Sequence, residues 1–200
     1  MIVKNIRLDI DTERVLFRLG YKRGKPLDGK TLDKIKSAIE YARVHIEPAY
    51  TYKEVELFIA GERIIIEKGE TIISKNLAKL FRNSRIMTLF FATIGGSLEE
   101  EIKKNMKGDN EVDGVILDAV GSEYVERLAE VVERNTAVRA GLDGCDITRR
   151  FSPGYGDLAL SNQELFFALT DAGKIGIRLT DSMIMLPEKS VSAVIGWEKK

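Results

Sequence analysis

Apolar and polar positions alternate from Ile2 to Ile10, the pattern of a half-buried strand. A short helix is predicted over Thr12 to Leu19, with Asp11 placed to cap it and Gly20 to stop it. Arg23-Gly24-Lys25-Pro26 reads as a loop. Leu32, Ile35, Ile39, Ala42 and Ile46 then recur at helical spacing, so the next helix runs from about Thr31 to Ile46 and ends before Pro48. Tyr50 to Ala60 and Glu62 to Glu67 flank Gly61 and predict a hairpin. Ser74 is placed to cap a short helix through Arg82. Arg85 to Ile94 is almost continuously apolar, as central strands buried on both faces are.

Gly95-Gly96 ends that run, and Ser97 with Glu100 has the spacing of a capping box for a helix over Leu98 to Met106. The longest helix is predicted over Asn110 to Thr136, with Val112, Val115, Ile116, Ala119, Val120, Leu128, Val131 and Val132 on its apolar face. Gly141 to Asp157 reads as irregular. A further helix fits Asn162 to Ala172, ending at Gly173, and Ile175 to Trp197 reads as two short strands around Pro187. Strands and helices mix without regular βαβ alternation, and no linker or repeat interrupts them. The expected fold is therefore α+β: one domain over residues 1–200, a twisted, largely antiparallel sheet with flanking helices. Within it, 1–50 forms an N-terminal strand and helix segment and 51–200 the main body.

Composition narrows the chemistry. Apolar residues make up 44% and charged residues 31%, which suits a folded globular chain. Lys plus Arg equals Asp plus Glu, 31 each, so the balance argues for neither nucleic acid nor an anionic membrane as partner. No apolar run reaches the ~20 residues that span a bilayer, and the N-terminus lacks a signal peptide's apolar stretch, so the expected location is the cytoplasm. One cysteine, Cys145, excludes an internal disulfide and a multi-cysteine metal site. One histidine, His45, leaves little for a His-based metal cluster or a catalytic triad. His45 near a helix C-terminus reads as a favourable dipole contact.

The segment richest in chemistry is Arg149 to Asp157, RRFSPGYGD. Arginine can hold a carboxylate or phosphate through two parallel charge-assisted hydrogen bonds. Pro153 fixes its own φ and biases Ser152 toward extended backbone. Gly154 lets a ligand approach the main chain, and Tyr155 adds a flat face and a hydroxyl. Local chemistry leaves two readings open: a clamp for an amino-acid or nucleotide ligand, or a surface turn with solvated arginines.

Arg150-x-Ser152-Pro153-Gly154-Tyr155 resembles the Arg-x-x-Pro-Gly-Tyr motif of the activation domain of vitamin B12-dependent methionine synthase. Leu179-Thr180-Asp181-Ser182, then Met185, Pro187 and Ser190-Val191-Ser192, is similar to that family's later block, at similar spacing. A third, weaker match surrounds Glu126. In this chain the first motif continues Gly156-Asp157-Leu158, where the full-length enzyme has Pro and Cys; this form resembles stand-alone members.

The resemblance implies an S-adenosylmethionine-binding reactivation subunit. It would support reductive methylation of cob(II)alamin on a separate cobalamin-dependent methionine synthase, with an electron from a flavodoxin-type donor. The chain would then be a component of that methyltransferase, with no catalytic residue and no metal ligand of its own. It also implies roles for residues. Arg150 would clamp the methionyl carboxylate, Ser152 and Gly154 would offer backbone groups to the adenosyl part, and Pro153 would belong to the same cofactor-binding motif. Tyr155 would meet the ligand or the corrin, and Glu126 the ligand ammonium or ribose. Asp9 and Asp11 are candidates by position for a further acidic contact. The alternatives are service to another corrinoid methyltransferase, or a non-catalytic interaction module of the same fold. An independent methyltransferase is disfavoured, because no glycine-rich dinucleotide fingerprint follows a strand.

Overall fold

The computed structural model describes residues 1–22, 28–66, 69–108 and 110–200. The strands are β1 (Ile2–Lys4), β2 (Ala49–Ala60), β3 (Arg63–Ile66), β4 (Thr71–Ile73), β5 (Ser84–Thr93), β6 (Cys145–Ile147), β7 (Arg178–Leu179), β8 (Met185–Leu186) and β9 (Ser190–Lys199). The helices are α1 (Thr12–Arg18), α2 (Gly29–His45), α3 (Lys75–Leu80), α4 (Ser97–Lys107), α5 (Glu111–Leu142) and α6 (Asn162–Leu169), with a 3-10 turn at Ala172–Ile175. The loop expected at 23–26 and the last residue of the expected strand at 62–67 lie outside the described residues.

The apolar run at 84–93 becomes β5 and sits centrally, between β2 and β9, in a sheet ordered β4-β3-β2-β5-β9-β6; β1 adds to the free stretch of β2. Each pairing is antiparallel. Because side chains alternate across a strand, β5 feeds two cores. Phe90 and Ala92 pack under α1, α2, α4 and α5; Leu89 and Phe91 pack on the opposite face against α3 and α6. The α+β expectation therefore holds, and the sheet lies between two helical layers.

Several local expectations fail for tertiary reasons. The opening strand ends at Lys4, because Asn5 turns into the left-handed region at φ 57. Ser97 does not form a capping box: it is the first helical residue of α4, and Gly96 takes the cap position. Pro187 crosses there, 3.6 Å from where a Gly96 Cβ would stand. Val112 and Val115 are exposed. The first turns of α5 press Gly114 against Met106, where a Cβ would lie 3.1 Å from the Met106 side chain, and this rotates the two valines outward. Helix α5 also continues to Leu142, and the stretch expected to be irregular contains β6.

The C-terminal pattern is corrected most. Instead of two short strands, a two-residue hairpin of β7 and β8 precedes the ten-residue β9, which pairs with β5 on one side and β6 on the other. Its serines and Gly196 dilute the apolar signal, yet at Gly196 close packing requires a residue without a side chain. A Cβ on Gly196 would stand 2.5 Å from Ser84 Oγ and 2.8 Å from Phe81. Likewise α6 stops at Leu169, and the chain reverses at Gly176 (φ 82), not at Gly173.

Candidate functional site

The sheet edge delivers the arginine motif. Thr148 donates its amide to the Gly196 carbonyl at 2.9 Å, and Phe151 exchanges both backbone hydrogen bonds with Val194 at 2.9 and 2.8 Å. Arg149 and Arg150 thus lie along β9 just before the chain leaves the sheet. The turn that follows is internally bonded: Gly154 donates to the Leu158 carbonyl (2.8 Å) and Tyr155 to the Ser152 carbonyl (3.2 Å). Gly154 adopts φ 87, which glycine takes without strain. Pro153 is buried beneath the turn and Tyr155 is exposed.

Asp157 ties this loop to α3. Its carboxylate accepts from Ser74 Oγ at 2.5 Å, from Lys75 N at 2.8 Å and from Asn76 N at 3.2 Å, so it caps a helix end whose amides have no helical partner. The Ser74 hydroxyl is the main cause of an acidity stronger than an ordinary aspartate's. Ser74 itself caps α3 as expected, accepting from Leu77 N at 3.0 Å. Gly156, at φ 57, fits because it has no side chain: a Cβ would lie 2.9 Å from Asn76 Nδ2. The Gly-Asp pair after Tyr155 is therefore the docking point of the loop.

The later block folds back to face the arginines. Thr180 closes a tight turn, receiving Ile184 N on its hydroxyl at 3.0 Å. Gln163, buried on α6, joins both parts: its Nε2 donates to the Met183 carbonyl and its Oε1 accepts from Ser192 Oγ, each at 3.0 Å. The result is an open cleft of about 1040 Å³. Arg149, Arg150, Ser152, Pro153 and Tyr155 form one wall; Thr180, Met183, Met185, Leu186, Ser190 and Val191 form the other; Glu126 of α5 and Gln163 also line it.

Of the residues singled out in the sequence, Glu126, Arg150, Ser152, Pro153 and Tyr155 meet in this cleft; Gly154 shapes the loop without lining it. Arg150 Nη2 donates to Glu126 Oε1, so the expected clamp and the expected acidic residue hold each other. Among the described residues, Arg150 Nη1 and Ser190 Oγ are buried at the cleft with no hydrogen-bond partner. These two atoms keep hydrogen-bonding capacity at the cleft, as do Glu70 Oε2, Ser84 Oγ and Glu123 Oε1 elsewhere among the described residues.

Other placements differ from expectation. Ser122, Glu126 and Glu130 do share one stripe of α5, but each has its own task. Ser122 accepts from Lys189, Glu126 from Arg150, and Glu130 from Arg14 and Arg127. Asp11 caps α1 by accepting Glu13 N, and exposed Asp9 lies 3.9 Å from Arg7; neither lines the cleft. His45 stacks on Tyr41, and its Nδ1 lies 2.7 Å from the Tyr41 carbonyl. Cys145 packs with Ala140 and Trp197. Sequence alone does not single out Gln163, Ser190 or Asp157 as site residues. A buried glutamine within the apolar NQELFFAL segment was the one available signal; the other two gain their roles only through contacts distant in sequence. Among the described residues no cluster of three or more His, Cys, Asp or Glu could hold a metal, and no helix is long and apolar enough to cross a membrane.

Residues 77–200, which include both walls of the cleft, match the model of the family described as vitamin B12 dependent methionine synthase, activation domain. The chain belongs to that family. Its fold matches the crystal structure of the MetH reactivation domain bound to AdoHcy, with a TM-score of 0.69 at 12% identity, over 100% of this chain and 78% of that one. Among curated proteins none matches the sequence.

Proposed function

We propose that this chain binds S-adenosylmethionine in the cleft and serves the reductive methylation of cobalamin on a separate cobalamin-dependent methionine synthase or other corrinoid protein, with a flavodoxin-type donor supplying the electron. One observation carries the reading. Two motifs of the family, far apart in sequence, form the two walls of one cleft, and that cleft holds unpartnered donors on Arg150 and Ser190.

The residues fit the ligand's parts. A methionyl group offers a carboxylate and an ammonium. Arg150 presents Nη1 to the first while Nη2 stays on Glu126, and Glu126 offers its carboxylate to the second. Pro153, Met185, Leu186 and Val191 supply an apolar surface for the adenosyl part, beside the polar Ser152 and Thr180. The AdoHcy bound to the MetH reactivation domain has the same methionyl and adenosyl groups without the methyl. Bound S-adenosylmethionine supplies the transferable methyl; the protein's share is orientation and electrostatics, for which rigid walls suffice. Exposed Tyr155, Leu160 and Ile184 surround the cleft and give a partner protein an apolar rim.

Calorimetric titration of S-adenosylmethionine into the wild-type protein and an Arg150→Ala variant tests this. Saturable wild-type binding that weakens at least ~30-fold in the variant is expected, since losing a charge-assisted clamp costs on the order of 2–5 kcal/mol. Absence of binding at millimolar ligand, both alone and with the corrinoid protein present, would sink the reading.

A further inference from the structure

Lys189 lies between the second wall of the cleft and α5, and it does not itself line the cleft. Its side chain is only 13% exposed. The ammonium donates to Asp118 Oδ1 at 2.7 Å and to Ser122 Oγ at 2.9 Å, both on α5. Its amide donates to Glu99 Oε1 at 3.0 Å, and its carbonyl accepts from Ile94 N at 3.2 Å. Gly121 makes room for the stem: a Cβ there would stand 3.4 Å from Lys189 Cε. The residue is thus fixed to α4, α5 and the end of β5 at once.

Asp118, Ser122 and Glu126 are spaced four apart, so they share one face of α5. The first two receive Lys189, immediately before Ser190; the third receives Arg150, immediately before the loop. We infer that Lys189 is a positioning residue: α5 acts as a ruler, and the Lys189 contact with Asp118 and Ser122 sets one wall of the cleft against the wall that Glu126 and Arg150 hold. An ammonium so enclosed has few alternative geometries, so the wall it carries is preorganised. The effect on ligand affinity rests on the function proposed above; the effect on wall mobility does not.

The test pairs amide hydrogen exchange of residues 188–191 with S-adenosylmethionine titration, for the wild type, Lys189→Met, Asp118→Asn and the double variant. Lys189→Met should speed exchange of those amides and weaken binding on the order of tenfold. Asp118→Asn, which changes a half-exposed side chain and keeps the fold if Lys189→Met does not, should act in the same direction. The double variant should bind no more weakly than Lys189→Met, because both changes break one contact. Unchanged exchange in the variants, affinity within twofold of wild type, or fully additive losses would each overturn the inference. Faster exchange in a protein whose wild type does not bind S-adenosylmethionine would uphold the clamp and remove the ligand reading.

Discussion

Helix α5 carries two sets of ion pairs that differ in one respect. On the seam with α1, buried Glu123 lies between two guanidiniums: Arg14 Nε stands 2.6 Å from Oε1, and Arg18 Nη2 donates to Oε2 at 3.1 Å. Two turns further, Glu130 accepts from Arg14 Nη2 at 2.6 Å and from Arg127 at 2.8 Å. Between them in sequence, Glu126 meets Arg150 at the cleft, where Nη1 remains without a partner. The same residue types build a charge-closed network on the α1 seam, where each carboxylate oxygen has a guanidinium nitrogen within 3.1 Å although Glu123 Oε1 makes no aligned hydrogen bond, and leave Arg150 Nη1 without any partner at the cleft. A network that engages every charge holds elements together, whereas a guanidinium nitrogen without a partner keeps a donor to spare.

The widest way to test that contrast is to remove one member from each seam. Arg150→Ala should abolish most ligand affinity and leave thermal stability nearly unchanged, because it removes an incompletely partnered side chain. Glu123→Ala should do the opposite. Two guanidiniums would lose their shared carboxylate, at a cost of about 2–3 kcal/mol read from urea denaturation, less than for a fully buried pair because both arginines reach solvent. If Glu123→Ala weakened ligand binding as much as Arg150→Ala, the two seams would not be distinct.

Acid should distinguish them next. The Arg14 guanidinium, with help from Arg127, holds the Glu130 carboxyl down to about 2, below its ordinary value of 4.5. A depressed carboxylate favours the native state above its unfolded pKa, and that contribution is lost as pH falls toward 2, since the unfolded chain then binds the extra proton. The loss is at most about 3 kcal/mol, reduced by solvent screening at this partly exposed site. Glu130→Gln should therefore flatten the decline in stability between pH 5 and 2; an unchanged acid profile would count against the closed network.

Smaller effects refine the picture. Asp157→Asn weakens the cap that pins the loop to α3, so it should lower the melting temperature slightly and the ligand affinity severalfold. A loss of stability with unaltered affinity would assign Asp157 to the scaffold alone. Lys34→Ala breaks an exposed pair between α2 and α5 and should change stability by less than about 0.5 kcal/mol, with no change in binding.

Much of this molecule was legible in one dimension. The LFFAT run in β5, the periodicity of α2 and the caps at Asp11 and Ser74 are local signals, and the structure contains each of them. Both motif blocks were visible as words, because turn residues and arginines of fixed order leave a trace in sequence. Invisible was whatever depends on a distant neighbour. Ser190, Ser192 and Gly196 dilute the signal of β9; Ser192 meets Gln163, and Gly196 is small because Ser84 and Phe81 stand close by. The apolar pattern misplaces the buried side of α5 at Val112 and Val115 for the same reason: Gly114, not a large residue, marks it there.

The sequence by itself determined the fold class, the order of most elements and the chemical vocabulary of the cleft, since these follow from residue periodicity and from conformations imposed by Pro and Gly. Only the tertiary structure decided the syntax. It set Glu126 against Arg150, put Lys189 on Asp118 and Ser122, docked Asp157 on α3 and left Arg150 Nη1 and Ser190 Oγ unpartnered. The physical reason is range: backbone preference acts over a few residues, whereas a hydrogen bond or close contact is fixed by whatever the antiparallel sheet brings within about 3 Å.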